Sequence, residues 1–237
     1  MRTAIITGAS SGIGRATAEL LSGDQYSLVL VSRNVEKVNA YAKDLTGKIT
    51  VKQCDVQDVD TVKKIVDETI ETYGSIDILL NNAGLGYFDR LDEGQLNQWH
   101  EMIDTNIKGI LNFLHFALPE LKKNIGHVIN VGSIASHHVF PNSGVYSATK
   151  HAVFAISESI RVELMGQVKV TTISPGAVNT NFINVTTNEE LLASYKEYFE
   201  SSMHASTIAK QIKHALEVED NAVINEIIVR PFRGAMK

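Results

Sequence analysis

Short runs of consecutive apolar residues alternate along this chain with longer stretches in which apolar side chains recur every three or four positions. The runs predict strands at Ala4–Thr7, Ser27–Ser32, Ile49–Cys54, Ile76–Leu80, His127–Val131, Val168–Ser174 and Glu226–Val229. The stretches predict helices at Ile13–Leu21, Val35–Leu45, Leu96–Lys122 and Gly144–Met165, and one capped by Asp58 that runs to Tyr73. Leu28, Val29, Leu30 and Val31 show no polar alternation, as expected of a strand covered on both faces. This order implies β-α-β units with right-handed crossovers, hence a doubly wound parallel α/β sheet. No linker or repeat interrupts it, so residues 1–237 are read as a single domain. Pro119 is expected to kink or end the long helix.

The segment 180–204 breaks the rhythm. Asn181-Phe182-Ile183-Asn184-Val185 mixes apolar and amide groups, and from Glu189 the residues Leu191, Leu192, Tyr195, Tyr198 and Phe199 fall at helical spacing. A long insert in a compact domain is commonly functional. We expect a substrate lid here; a helix packed permanently on the core, or a subunit contact, is the competing reading.

Composition narrows the function classes. Hydrophobic residues at 44% and charged residues at 21% are ordinary for a globular chain and argue against disorder. The formal charge of −5 argues against a nucleic-acid surface. Cys54 stands alone, so neither an internal disulfide nor a multi-cysteine metal site is expected. No apolar run approaches the ~20 residues that span a bilayer. Ala4, Ile5 and Ile6 before Thr7-Gly8 are too few for a signal peptide, and a cytoplasmic location is expected.

Gly8-Ala9-Ser10-Ser11-Gly12-Ile13-Gly14 lies between the first strand and the first helix. Three glycines also serve an ordinary turn. Their place before a helix N-terminus favours a pyrophosphate cradle, with free N–H groups and the positive end of the dipole facing the phosphates. At the end of the second strand, where an acidic residue would bind the ribose of NAD, stand Ser32-Arg33-Asn34. Arg33 can pair with a 2′-phosphate, so NADP is expected over NAD. Tyr146 and Lys150 are i and i+4 on one helix, ~6 Å apart along its axis. A neighbouring ammonium lowers a phenol's pKa and suits it to general acid or base work. Ser133 ends the fifth strand, at the edge where open parallel sheets bind ligands.

The glycine turn, Asn81-Asn82-Ala83-Gly84, Asn106, Ser133, Tyr146-x-x-x-Lys150 and Pro175-Gly176, taken in this order, resemble the short-chain dehydrogenase/reductase family, in its branch of about 250 residues. The resemblance covers essentially the whole chain and implies a Rossmann-like fold. It implies that Tyr146 gives or takes the proton and that Ser133 polarises the substrate carbonyl. Lys150 would hold the nicotinamide ribose and lower the Tyr146 pKa, and Asn106 would help a water relay protons from Lys150. Gly8, Ser10, Ser11, Gly12, Ile13 and Gly14 would cradle the pyrophosphate. Ser32 and Arg33 would meet the adenosine ribose, Asp55 and Val56 the adenine. Asn82, Ala83 and Gly84 would line the adenosine side, while Asn81 steadies the central strand. Val178 and Thr180 would reach the carboxamide and pyrophosphate. No basic residue lies inside the glycine turn, which leaves Arg33 to carry the NADP expectation.

The expected function is therefore an NADP-dependent oxidoreductase interconverting a carbonyl and a secondary alcohol. A non-catalytic dinucleotide sensor or interaction protein on the same fold is the alternative. The expected partners are a small carbonyl or alcohol substrate and further copies of the chain, as a homodimer or homotetramer. Neither nucleic acid, membrane nor metal is expected. Apolar residues on several faces of the two long helices, among them Phe113, Phe116, Phe154 and Ile156, suggest the assembly. Trp99, Ile103, Ile107, Ile110, Leu111 and Leu114 read as core or subunit contact. His137 and His138 read as surface or pocket-wall residues.

Overall fold

The computed structural model describes residues 1–23, 25–182, 191–193, 199 and 201–232. In chain order the strands are β1 (Arg2–Thr7), β2 (Tyr26–Ser32), β3 (Lys48–Gln53), β4 (Ile78–Asn81), β5 (His127–Val131), β6 (Lys169–Pro175), β7 (Val178–Asn179), β8 (Met203–His204) and β9 (Glu226–Val229). The helices are α1 (Gly12–Leu21), α2 (Val35–Ala42), α3 (Val59–Tyr73), α4 (Leu96–Ile103), α5 (Gly109–Lys123), α6 (Gly144–Glu163) and α7 (Ala205–Leu216). Seven strands form one parallel sheet in the order β3-β2-β1-β4-β5-β6-β9, and β7 pairs with β8 beside it. The doubly wound reading of the sequence is the fold observed.

Successive side chains of a strand face opposite sides of the sheet. Ile5, Val29, Val31, Leu79 and Val128 accordingly join the core under α3, α5 and α6. Ala4, Ile6, Leu28, Leu30, Leu80 and Ile129 join a second core, under α1, α2 and α7. Both faces are covered, which is why the strands carry no polar alternation. Local chemistry sets the helix ends. Asp58 accepts from the Thr61 N–H at 3.1 Å and starts α3; Asn34 accepts from the Lys37 N–H at 3.0 Å and starts α2. Gly74, at φ 80°, closes α3.

One expectation about the long helix is corrected, and one of the two alternatives for Pro119 falls away. It is not continuous over 96–122: α4 and α5 are joined by a π turn, Asp104–Lys108. Asn106 in that turn is fully buried, and the wider turn lets its amide meet backbone groups that an α-helix would hold out of reach. Pro119 does not end the helix, which continues to Lys123. Leu121, beyond the proline, is fully buried in the core and holds the last turn in place. Among the described residues no helix is long and apolar enough to cross a membrane.

The strand order reverses between β1 and β4, so the loops after these two strands diverge and open a crevice at the carboxyl edge of the sheet.

Candidate active site

The loops after β1 and β4 are clamped together. The Thr7 hydroxyl oxygen accepts from the backbone N–H of Asn82 at 2.9 Å and of Ala83 at 3.0 Å. The Asn82 amide donates to the Thr7 and Gly8 carbonyls at 2.9 and 3.2 Å. That closeness needs glycine: a Cβ on Gly8 would lie 2.7 Å from the Asn82 amide nitrogen, and Gly8 has φ +67°. A Cβ on Gly14 would lie 2.5 Å from the Gly8 carbonyl oxygen. Gly14 thus packs the helix onto the turn and does not line the cavity, whereas Gly8, Ser10, Ser11, Gly12 and Ile13 do. Ser11 precedes α1 and makes no side-chain cap bond, leaving the first-turn N–H groups for a ligand.

The cavity holds about 450 Å³ and runs from this turn in two directions. Toward β2 and β3 it meets Ser32, Arg33, Asp55 and Val56. The Arg33 guanidinium lies 3.9 Å from both the Asp55 and the Glu101 carboxylates, and its side chain is 61% exposed. Such long, wet pairs contribute little and are readily exchanged for a stronger anion. Two neighbours were missed in the sequence. Lys37 lines the same rim from the first turn of α2. Its spacing of four from Arg33 was legible. Glu101 reaches Arg33 from α4, and nothing local signals that. Glu101 also accepts from the Tyr87 hydroxyl at 2.6 Å; burial, then the Glu101 contact, pushes that phenol up to about 12.

In the other direction the cavity reaches Ser133, Tyr146 and Lys150, all three buried. Ser133 follows β5 and caps a short 3-10 turn, Ile134–Ser136, accepting from the Ala135 N–H at 3.0 Å. The Ser136 hydroxyl accepts from the Ser133 N–H at 3.2 Å, which fixes the loop. The Tyr146 phenol is close enough to Ser133 to be influenced by its hydroxyl. Lys150 donates to the Val131 carbonyl at 2.8 Å, with its ammonium 5.9 Å from the centre of the Tyr146 ring. Burial dominates both titrations. It pushes Tyr146 up to about 12, against a smaller lowering from Ser133, and brings Lys150 down to about 8. Burial sets the direction for Tyr146, and Lys150, with its ammonium 5.9 Å from the ring centre, does not reverse it.

Asn106 stands behind this group. Its carbonyl oxygen accepts from the Leu85 N–H at 2.9 Å, and its amide donates to the Leu85 carbonyl at 2.8 Å and to Thr149 at 3.1 Å. It ties the loop after β4 to α6 and does not line the cavity. Gly84 separates it from Lys150: a Cβ there would lie 3.1 Å from the Asn106 oxygen and 3.7 Å from the Lys150 ammonium. Asn81 donates to Asn130 at 2.8 Å, and Asn130 to Ser157 at 2.8 Å, a buried ladder from β4 through β5 to α6.

Residues 2–191 match the short chain dehydrogenase family. The chain belongs to that family. A Staphylococcus saprophyticus protein named as an uncharacterized oxidoreductase is 36% identical, over 97% of this chain and 96% of its own. The solved structure of an alcohol dehydrogenase from the archaeon Thermococcus sibiricus, complexed with 5-hydroxy-NADP, is similar with a TM-score of 0.89. It has 29% identity and covers 100% of this chain and 99% of its own. The closed form of a serine dehydrogenase complexed with NADP+ has a TM-score of 0.89 and 27% identity, over 95% of this chain and 93% of its own.

This short-chain dehydrogenase brings most of the expected residues to one cavity. Val178 and Thr180 line it, as do Asn82, Ala83 and Gly84. Phe182 and Phe199, from the expected lid, line it too, and Leu192 packs against the aromatic cluster around Tyr146. Ile183, Asn184, Val185, Glu189, Tyr195 and Tyr198 lie outside the described residues. Of the Trp99 series, Ile110 and Leu114 are core, Trp99 packs near Tyr146, and Ile103 and Leu111 are exposed. His137 is paired with Glu226 of β9 at 2.7 Å, a partner 89 residues away that local sequence does not reveal.

Proposed function

We propose that this short-chain dehydrogenase interconverts a carbonyl and a secondary alcohol with NADP(H), Tyr146 serving as general acid or base. The observation that carries the reading is the convergence of Ser133, Tyr146 and Lys150 at the end of the cavity that begins in the glycine turn. The turn would suit a dinucleotide, since Gly12 has φ +55° and a Cβ there would lie 3.0 Å from the Thr180 side chain, so a larger residue would narrow the cavity between them. Gly8, Ser10, Ser11, Gly12, Ile13, Val178 and Thr180 hold the phosphates and carboxamide, with Gly14 shaping the turn. Asp55, Val56, Asn82, Ala83 and Gly84 enclose the adenosine. Arg33 and Lys37, beside Ser32, hold the 2′-phosphate. The NADP compounds in the two solved relatives support that choice.

A bound nicotinamide supplies or accepts the hydride at the substrate carbon. The residues do the rest. The Tyr146 phenol, kept protonated by burial, donates to the carbonyl oxygen during reduction. Ser133 gives the same oxygen a second hydrogen bond and holds it against the phenol. Lys150 positions the nicotinamide ribose, and its charge favours the phenolate that donation leaves behind. Asn106 supports the proton path through the Lys150 side. Oxidation of NADPH on adding a panel of simple ketones, followed by absorbance, tests the reading; binding of NADPH with no turnover on any carbonyl would favour the sensor alternative.

The segment 180–204 is proposed as the substrate lid, supported by Phe182 and Phe199 at the cavity and Leu192 against its wall. Amide exchange in this segment is expected to slow when cofactor and substrate bind. Equal protection in free and ternary states would make it a fixed wall.

Self-association is proposed from α4, α5 and α6. Phe113, Leu114, Val153 and Ile160 are absorbed by the chain's own core, so the case rests on exposed Ile103, Leu111 and Val162. Light scattering at micromolar concentration is expected to give a dimer or tetramer; a monomer would contradict this.

A further inference from the structure

Beyond Ser133 and Tyr146, the cavity is walled by Leu85, Phe88, Phe140, Phe182 and Phe199. Phe88 and Phe182 flank the Tyr146 ring, each with its centroid 5.4 Å from it, and lie 6.2 Å from one another nearly edge to face. Gly86 permits this closeness: a Cβ there would lie 2.6 Å from the Phe182 ring and 3.0 Å from that of Tyr146. The charged side chains lining the cavity, among the described residues, are Arg33, Lys37, Asp55 and Lys150. The first three follow β2 and β3, while Ser133 follows β5. In the sheet β2 stands three strand spacings from β5, about 14 Å. Lys150 lines the cavity but is buried, and its ammonium is engaged in donating to the Val131 carbonyl at 2.8 Å. His137, close in sequence, is taken by Glu226 and is not part of the wall. Among the described residues the polar side chains near the substrate are the Ser133 and Tyr146 hydroxyls, Ser143, which donates to the Phe140 carbonyl at 2.8 Å, and Thr180 and Asn181 at the rim.

A substrate whose carbonyl meets Ser133 and Tyr146 must lay its remaining atoms on this wall. An aromatic or aliphatic group is stabilised there by burial and ring contact. A carboxylate would lose its water and, among the described residues of this wall, find no cation free to replace it. We infer that the chain acts on neutral carbonyls bearing an apolar, preferably aromatic, substituent, and discriminates against oxo acids and amino acids. This rests on the oxidoreductase reading above and adds the substrate class to it. In the reductive direction the carbonyl gains a hydride from NADPH at carbon and the Tyr146 proton at oxygen, giving the alcohol and NADP+. The phenolate then recovers its proton from solvent.

Four methyl ketones that differ only at the far end separate the possibilities: butan-2-one, 4-phenylbutan-2-one, methyl 4-oxopentanoate and 4-oxopentanoate. The reacting carbonyl has nearly the same intrinsic reactivity in each. With wild-type protein and saturating NADPH, kcat/KM for the phenyl ketone is expected to exceed that of butan-2-one by about tenfold or more. It is expected to exceed that of the carboxylate by about 100-fold or more, with the methyl ester between. Phe182→Ala is expected to lower the phenyl ketone's advantage over butan-2-one toward unity. Phe140→Arg, which adds a cation to the wall, is expected to raise turnover of the carboxylate. Turnover of 4-oxopentanoate equal to or above that of the phenyl ketone overturns the inference while leaving the oxidoreductase reading intact. Turnover of none of the four overturns it as well; the underlying reading is then judged separately by NADPH binding and by the wider ketone panel.

Discussion

Tyr146→Phe is expected to lower kcat by about 100-fold or more while the protein stays folded and binds cofactor. The substitution keeps the ring, and the ring is what the structure packs: Phe88 and Phe182 lie against it, and the residue is 8% exposed within an aromatic cluster. What is lost is one buried hydroxyl beside Ser133, a change of about 1 kcal/mol in stability. Burial holds this phenol at about 12, so around neutral pH the wild-type group is protonated and ready to donate. The reductive rate is therefore not expected to fall with Tyr146 ionisation below pH 10. Lys150 is the group that changes charge first. Its ammonium, brought down to about 8 by burial, loses its proton as pH rises through that value. Reduction is expected to hold level below pH 8 and to decline above it. Steady-state rates across pH, with circular dichroism and cofactor fluorescence on the variant, check all of these points. Wild-type turnover in Tyr146→Phe would remove the phenol from the mechanism.

Arg33→Asp is expected to reverse the preference between NADPH and NADH. A charge-assisted contact to a phosphate contributes on the order of 2–3 kcal/mol, which corresponds to roughly 30- to 150-fold in relative kcat/KM. The structure adds a second cause. Arg33 faces Asp55 and Glu101 at 3.9 Å each, so an aspartate in its place sets three carboxylates around the rim. That arrangement repels a 2′-phosphate and tolerates a ribose hydroxyl. Lys37 remains and sets a floor under the loss. Equal use of NADH and NADPH by the wild type, or an unchanged ratio in the variant, would move the 2′-phosphate site away from Arg33.

The parts of this molecule that depend on local chemistry were legible from residues alone. Asp58 and Gly74 bound α3 as their side chain and backbone freedom require. The unbroken Leu28–Val31 run lies in a strand covered on both faces, and β5 and β9 fall at the positions predicted. The features that were not legible depend on partners distant in sequence. The π turn at Asn106 exists because a buried amide reaches Leu85 and Thr149, 21 and 43 residues away. Pro119 is carried within α5 because Leu121 is anchored in the core. The Arg33 environment includes Glu101 only because α4 brings that carboxylate to the β2 side of the crevice. The upward direction of the Tyr146 titration was not legible for a related reason. Spacing places Lys150 on the same helix face, whereas the depth of burial, which decides the sign, is a property of the assembled sheet and loops.

The central claim is that this short-chain dehydrogenase transfers hydride between NADPH and a neutral carbonyl. The most direct test is incubation of the wild-type protein with NADPH carrying deuterium on the transferred face of C4 and 4-phenylbutan-2-one, followed by mass spectrometry and proton NMR of the product. The account predicts 4-phenylbutan-2-ol with one deuterium at the carbinol carbon and a single configuration there, and no labelled alcohol from Tyr146→Phe above the trace its residual rate allows. Binding of NADPH with no label reaching any carbonyl carbon in the ketone panel would contradict the account and leave a dinucleotide sensor.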